Sequence, residues 1–137
     1  MQIQPYLVFD GRCEEAAEFY RKALGAEVRM LLRFKDNPVP DQGSMAPPGS
    51  GEKVMHMQLR IGESVILASD GRCLGKPNFQ GISLTLTVGD DAEAERRFNA
   101  LAEGGQVQMP LGKTFFASRF GMIADRFGVS WMVLTRS

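Results

Sequence analysis

Residues 5–28 read PYLVFDGRCEEAAEFYRKALGAEV, and residues 81–105 read GISLTLTVGDDAEAERRFNALAEGG. Each stretch opens with β-forming residues in alternation, then passes into a run whose apolar residues recur three and four apart. In the first, Ala16, Phe19, Tyr20, Ala23 and Leu24 make the stripe of an amphipathic helix, which Gly25 closes. In the second, Ala94, Phe98, Leu101 and Ala102 share one helical face, and Gly104-Gly105 ends it. Setting Phe19 on Phe98 and Gly25 on Gly104 gives one offset of 79, which also sets Phe9 on Val88.

Three strand-like runs follow each helix. After the first come AEVRMLLRF, VMHMQLRIG and ESVILASD, the last two joined by a tight turn at Gly62-Glu63. After the second come QVQMP, ASRFGMIAD and VSWMVLT, the last two joined across Asp125-Arg126-Phe127-Gly128. The pattern is a tandem βαβββ repeat in a single α+β domain spanning 1–137, with halves at about 1–75 and 80–137. A four-stranded antiparallel sheet with one helix covers only one of its faces, so the two units are expected to build cupped sheets with flanking helices and an open inner surface. Between the second and third strands, the proline-rich 36–53 loop is too irregular for a regular element and long enough for a lid, a partner-contacting arm or a plain surface loop.

Sixteen basic residues balance sixteen acidic ones, which removes the electrostatic basis for binding nucleic acid or an anionic membrane. No apolar run has the length of a membrane span, and MQIQPYLVFD lacks the order of a signal peptide. A cytoplasmic protein is expected, with Cys13 and Cys73 as separate thiols.

The combination of PYLVFDGRCEEAAEFYRKALGAEV with FGMIADRFGVSWMV, residues 120–133, resembles the PhnB-like branch of the vicinal-oxygen-chelate superfamily, which includes glyoxalase I, bleomycin-resistance proteins and extradiol dioxygenases. The resemblance implies paired βαβββ units, a homodimer, and ligand cavities inside the cupped sheets. In metal-dependent members, His, Glu or Gln from the first and fourth strands of each half hold a divalent ion that acts as a Lewis acid.

Carried onto this chain, the four ligand positions fall on Gln4, Leu67, Ser83 and Met132. Only Gln4 is a plausible oxygen ligand, while a divalent ion needs about four to six nitrogen, oxygen or thiolate donors. Shifting the alignment by one residue brings in no better set and turns each side chain to the opposite face. No metal and no other cofactor is therefore expected. LGKT at 111–114 resembles the end of a phosphate-binding loop, but Val107 stands where that loop needs glycine.

Strand alternation points Gln4, Tyr6, Leu67, Ser69, Ser83, Thr85 and Met132 towards the expected cup, a mixture of amide, hydroxyl and apolar groups suited to an uncharged or modestly polar small molecule. Arg119 could guide an anionic ligand or stand as a solvated strand-end charge. Asp70 could accept a hydrogen bond or a proton. The single histidine, His56, opens a third strand either as a packing residue or as a base. Trp131 has the opposite parity to Met132 and should pack towards the helix with a partner for its indole N–H.

Three functions compete. The first is a metal-free small-molecule-binding protein. The second is a superfamily isomerase, lyase or dioxygenase with a displaced metal, or an enzyme using acid–base chemistry from His56, Tyr6 or Asp70. The third is an interaction module whose cup is filled by the 36–53 loop of a second chain. Demethylubiquinone methylation, a label attached to the branch by analogy, is not expected, because no glycine-rich strand-to-helix turn is present to cradle a methyl donor.

Overall fold

A computed structural model of the chain describes residues 1–37, 49–73 and 75–136; most of the 36–53 loop lies outside the described residues. The chain forms two compact units, Met1–Pro77 and Asn78–Ser137, each with one helix and one four-stranded sheet.

The first unit runs β1 (Tyr6–Val8), α1 (Cys13–Leu24), β2 (Glu27–Arg33), a 3-10 turn at Phe34–Asp36, β3 (Val54–Ile61) and β4 (Ser64–Ser69). Its strand order is β1-β4-β3-β2. The second unit repeats the plan with β5 (Leu84–Val88), α2 (Asp91–Ala102), β6 (Gln106–Gly112), β7 (Ala117–Ala124) and β8 (Ser130–Arg136), in the order β5-β8-β7-β6. The sheets are mixed, not purely antiparallel as expected: β1 runs parallel to β4 and β5 parallel to β8, while the remaining pairs are antiparallel. The cause is connectivity, since two strands and a helix separate the paired strands and the chain returns along its original direction. β1 is also shorter than the alternation of MQIQPYLVFD implies, because Pro5 has no N–H to give the ladder; its carbonyl still accepts from Leu67 N–H at 3.0 Å.

Each helix covers one sheet face. From α1, Cys13, Ala16, Ala17, Tyr20, Ala23 and Leu24 are buried, and Gly25 ends the helix in the left-handed region at φ 68°. The three alanines let the helix lie close to the sheet, against Leu7, Phe9, Met57, Leu59, Ile66 and Ala68. From α2, Ala94, Phe98 and Leu101 are buried over a sheet face carrying Val88, Ile123, Trp131 and Val133.

Gly121 on β7 lies close to both α2 and β6. A Cβ there would stand 2.6 Å from Phe98 Cε2 and 3.0 Å from the backbone of Leu111. Phe98 could yield by turning, but the strand backbone cannot. Gly121→Ala is expected to cost about 1–3 kcal/mol of stability through overpacking, read as a lowered urea midpoint.

The helix N-termini are capped in two ways. In the second unit, Asp90 accepts from Glu93 N–H at 2.7 Å, a local N-cap. In the first, Arg12 occupies the cap position and its side chain makes no cap bond. The missing acceptor comes from the end of β4: Asp70 Oδ1 accepts from Gly11 N–H at 2.9 Å and Cys13 N–H at 2.7 Å, and Oδ2 accepts from Val54 N–H at 2.8 Å. Asp70 is 1% exposed and both its oxygens are committed, so its role is a structural one.

Candidate functional site

The sheet faces opposite the helices carry the candidate site. In the first sheet, strand register sets Tyr6, Leu67, Gln58 and Met30 side by side across all four strands. Next to this row, Val8 pairs with Ser69 and His56 with Leu32. Tyr6, Val8, Met30 and Leu32 are between 40% and 46% exposed, a large apolar exposure for one sheet face.

The second sheet repeats the row with Thr85, Met132, Met122 and Met109. Three thioethers from adjacent strands make this stretch soft and adaptable. Thr85 Oγ1 lies 4.0 Å from Met132 Sδ. The next row pairs Thr87, Leu134 and Phe120, and the Phe120 ring packs edge-on against Phe116 at 5.1 Å between centroids. Ser83 donates to or accepts from Ser130, Oγ to Oγ at 2.9 Å.

Seven of the expected lining residues therefore lie at or beside these rows: Tyr6, Leu67, Ser69 and His56 in the first unit, and Ser83, Thr85 and Met132 in the second. Gln4 precedes β1, and its amide Nε2 donates to Val65 carbonyl at 3.4 Å. Arg119 stands apart from them. It pairs with Thr135, which is buried, and its guanidinium lies 3.6 Å from both Asp91 and Glu95 of α2. Asp91 also accepts from Ser118 Oγ at 2.6 Å, and this bond, followed by the charge of Arg119, holds its carboxyl below the usual carboxylate range.

Of the three acid–base candidates, the structure joins two. Tyr6 Oη lies 3.2 Å from His56 Nδ1, while Asp70 is engaged by three backbone amides. Sequence reasoning did not find Val8, Met30, Leu32, Gln58, Met109 or Met122. The signal was present for Gln58, which shares strand parity with His56, but choosing the neighbouring strand requires the strand order.

Gln4, Leu67, Ser83 and Met132, the residues expected from the resemblance at the metal-ligand positions, supply one amide, one isobutyl group, one hydroxyl and one thioether. That donor set does not fit a hard or borderline divalent ion. Among the described residues, no three His, Cys, Asp or Glu side chains cluster closely enough to hold a metal ion.

A polar cleft of about 310 Å³ opens beside the α1 N-terminus, lined by Gly11, Glu14, Arg33, Glu52, Lys53 and Asp70 among others. Its charges are mutually matched: Arg33 binds Glu14 at 2.7 Å, Lys35 binds Glu52 at 2.7 Å, and Lys53 donates to Gly11 carbonyl at 2.8 Å. The Arg33 bond holds Glu14 below its ordinary carboxyl range.

The two thiols differ in access. Cys13, the first residue of α1, is fully buried, and burial, reinforced by the charge of Asp70, raises its pKa; Cys73 is half-buried. Under native conditions Ellman's reagent is expected to titrate Cys73 alone, with Cys13 reacting only after denaturation. Two fast-reacting thiols in the native protein would contradict this burial.

Two βαβββ units, each with a mixed sheet and one covered face, define an α+β fold of the glyoxalase type. The same fold occurs in a glyoxalase-related enzyme from Fulvimarina pelagi, with a TM-score of 0.64 at 19% identity over 99% of this chain and 88% of that one. Residues 1–134 match the family described as 3-demethylubiquinone-9 3-methyltransferase, and the chain belongs to that family. It is similar to protein YjdN of Escherichia coli K12, 36% identical over 97% of this chain and 94% of the relative. The crystal structure of PA1353 from Pseudomonas aeruginosa matches with a TM-score of 0.85 and 46% identity, covering 99% and 98% of the two chains. A PhnB protein from Bacillus cereus matches with a TM-score of 0.79 and 25% identity, covering 98% and 99%. The chain is thus a PhnB-like protein of that family, with a glyoxalase-type fold.

Proposed function

We propose that this protein binds a small, largely apolar organic molecule on the open sheet faces, without the divalent metal of its metal-dependent relatives. The observation that carries this reading is the repeated cross-strand row, Tyr6-Leu67-Gln58-Met30 and Thr85-Met132-Met122-Met109, in which apolar and thioether groups are interspersed with a few hydrogen-bonding ones. Such a surface recognises shape and apolar area, with polar groups setting orientation. Methyl transfer is not part of the proposal, since the turn from β1 into α1 reads Phe9-Asp10-Gly11-Arg12, with one glycine and no phosphate cradle.

The reading includes a cytoplasmic homodimer, with the two units acting as one domain. Support for association comes from large apolar side chains left exposed in the chain, Phe115 at 99% and Ile82 at 58%. Light scattering should give twice the chain mass of 15.1 kDa.

The binding test uses methionine methyl signals in NMR. Toluene, as a minimal apolar probe, is expected to shift Met30, Met109, Met122 and Met132 while leaving Met57, which is buried under the helix, in place. No shifts at all, or shifts spread evenly over every methionine, would remove the proposal.

A further inference from the structure

On the largely apolar face of the first sheet, next to Gln58 and Ser69, stands a hydrogen-bonded polar pair. Tyr6 Oη and His56 Nδ1 are 3.2 Å apart, with ring centroids at 5.8 Å and planes inclined by 32°. A phenol gives its hydrogen readily and accepts weakly, whereas an unprotonated imidazole nitrogen is a good acceptor. In neutral His56 the bond therefore runs from Tyr6 O–H to Nδ1. The bond made by one ring nitrogen decides the state of the other, so Nε2 carries the hydrogen. Among the described residues, no hydrogen-bond partner stands at Nε2. His56 is half-buried and paired with Leu32, on the face that also carries Val8, Met30 and Leu67. An N–H beside apolar side chains can be met by a ligand that covers those side chains and brings its own acceptor, so that the bond forms shielded from water.

We propose that the ligand of this face is a flat, apolar, preferably aromatic molecule bearing a carboxylate or carbonyl oxygen. That oxygen accepts from His56 Nε2, and the ring lies over Met30, Leu32 and Leu67, where thioether and aromatic groups attract one another. Tyr6 is a positioning residue that holds the imidazole in its donor tautomer. The proposal rests on the small-molecule-binding reading above and narrows it to one chemical class.

His56 is the only histidine, so ¹⁵N-labelled full-length protein gives one set of imidazole signals. In the free protein, long-range ¹⁵N correlation spectra should show an unprotonated Nδ1 and a protonated Nε2. The probes are benzoate, acetophenone and toluene, which present a carboxylate, a carbonyl and no acceptor. Benzoate or acetophenone should move the imidazole signals and bind roughly tenfold tighter than toluene, and the tighter of the two identifies the acceptor. Tyr6→Phe should mix the tautomers and remove most of that advantage. His56→Phe should remove all of it, the advantage being read in each variant as the ratio of acceptor affinity to toluene affinity, so that a general loss of binding does not count as loss of the anchor. If toluene binds but neither acceptor binds more tightly, or the imidazole signals stay still, the anchor is wrong and the wider reading stands. If none of the three perturbs the sheet-face signals, both fail together.

Discussion

Asp125→Ala is expected to lower the unfolding free energy by about 3–5 kcal/mol, a large fraction of the stability of a small protein. The carboxylate is 3% exposed and organises the whole β7–β8 connection. Its Oδ1 accepts from Phe127 N–H at 2.9 Å and Val129 N–H at 3.1 Å, and Oδ2 accepts from the indole of Trp131 at 2.9 Å. The backbone closes around it, with Asp125 N–H donating to Val129 carbonyl and Gly128 N–H to Asp125 carbonyl, both at 2.9 Å. Gly128 takes φ 89°, which few other residues tolerate. Alanine would leave two backbone amides and one indole N–H without an acceptor in a buried turn. Trp131 is the only tryptophan, so its fluorescence reports the loss directly in a urea titration. Asp125→Asn, which keeps one acceptor oxygen, should lose less. An alanine variant within about 1 kcal/mol of the parent would show that the turn finds other partners.

Asp70→Ala should be comparably damaging, at about 3–5 kcal/mol, and its effect should be confined to the first unit. Its three acceptor bonds tie the β1–α1 turn, the first turn of α1 and the start of β3 to the end of β4. The negative charge also faces the positive end of the helix dipole. Asp70→Asn keeps the shape but replaces one acceptor with an NH₂ aimed at backbone donors, so it should recover little. Hydrogen exchange would locate the damage: the amides of Gly11, Cys13 and Val54 should lose protection, while those of the second unit should keep theirs. Uniform loss across both units would contradict a role local to the first.

Much of the architecture was legible before any coordinates. Both helices follow from short-range apolar spacing, and both sheets from alternation. The pairing of Trp131 with an acceptor follows from its parity and chemistry, although nothing in the spacing singled out Asp125. The β-formers in MQIQPYLVFD overstated β1, because residue preference does not register that Pro5 lacks a donor. The mixed sheets were missed for a different reason: alternation reveals a strand but not its direction relative to a neighbour.

What the sequence determined by itself was the repeat, with its tandem βαβββ order, its helical stripes and the poor donor chemistry at Gln4, Leu67, Ser83 and Met132. Tertiary structure decided which distant groups meet. It brought Tyr6 to His56 across the order β1-β4-β3, set Asp70 under a helix more than fifty residues earlier, and placed Arg119 against the carboxylates of α2. Periodicity is carried by neighbours three or four residues apart. A hydrogen bond between remote residues depends on strand order, direction and register, which only the folded chain supplies.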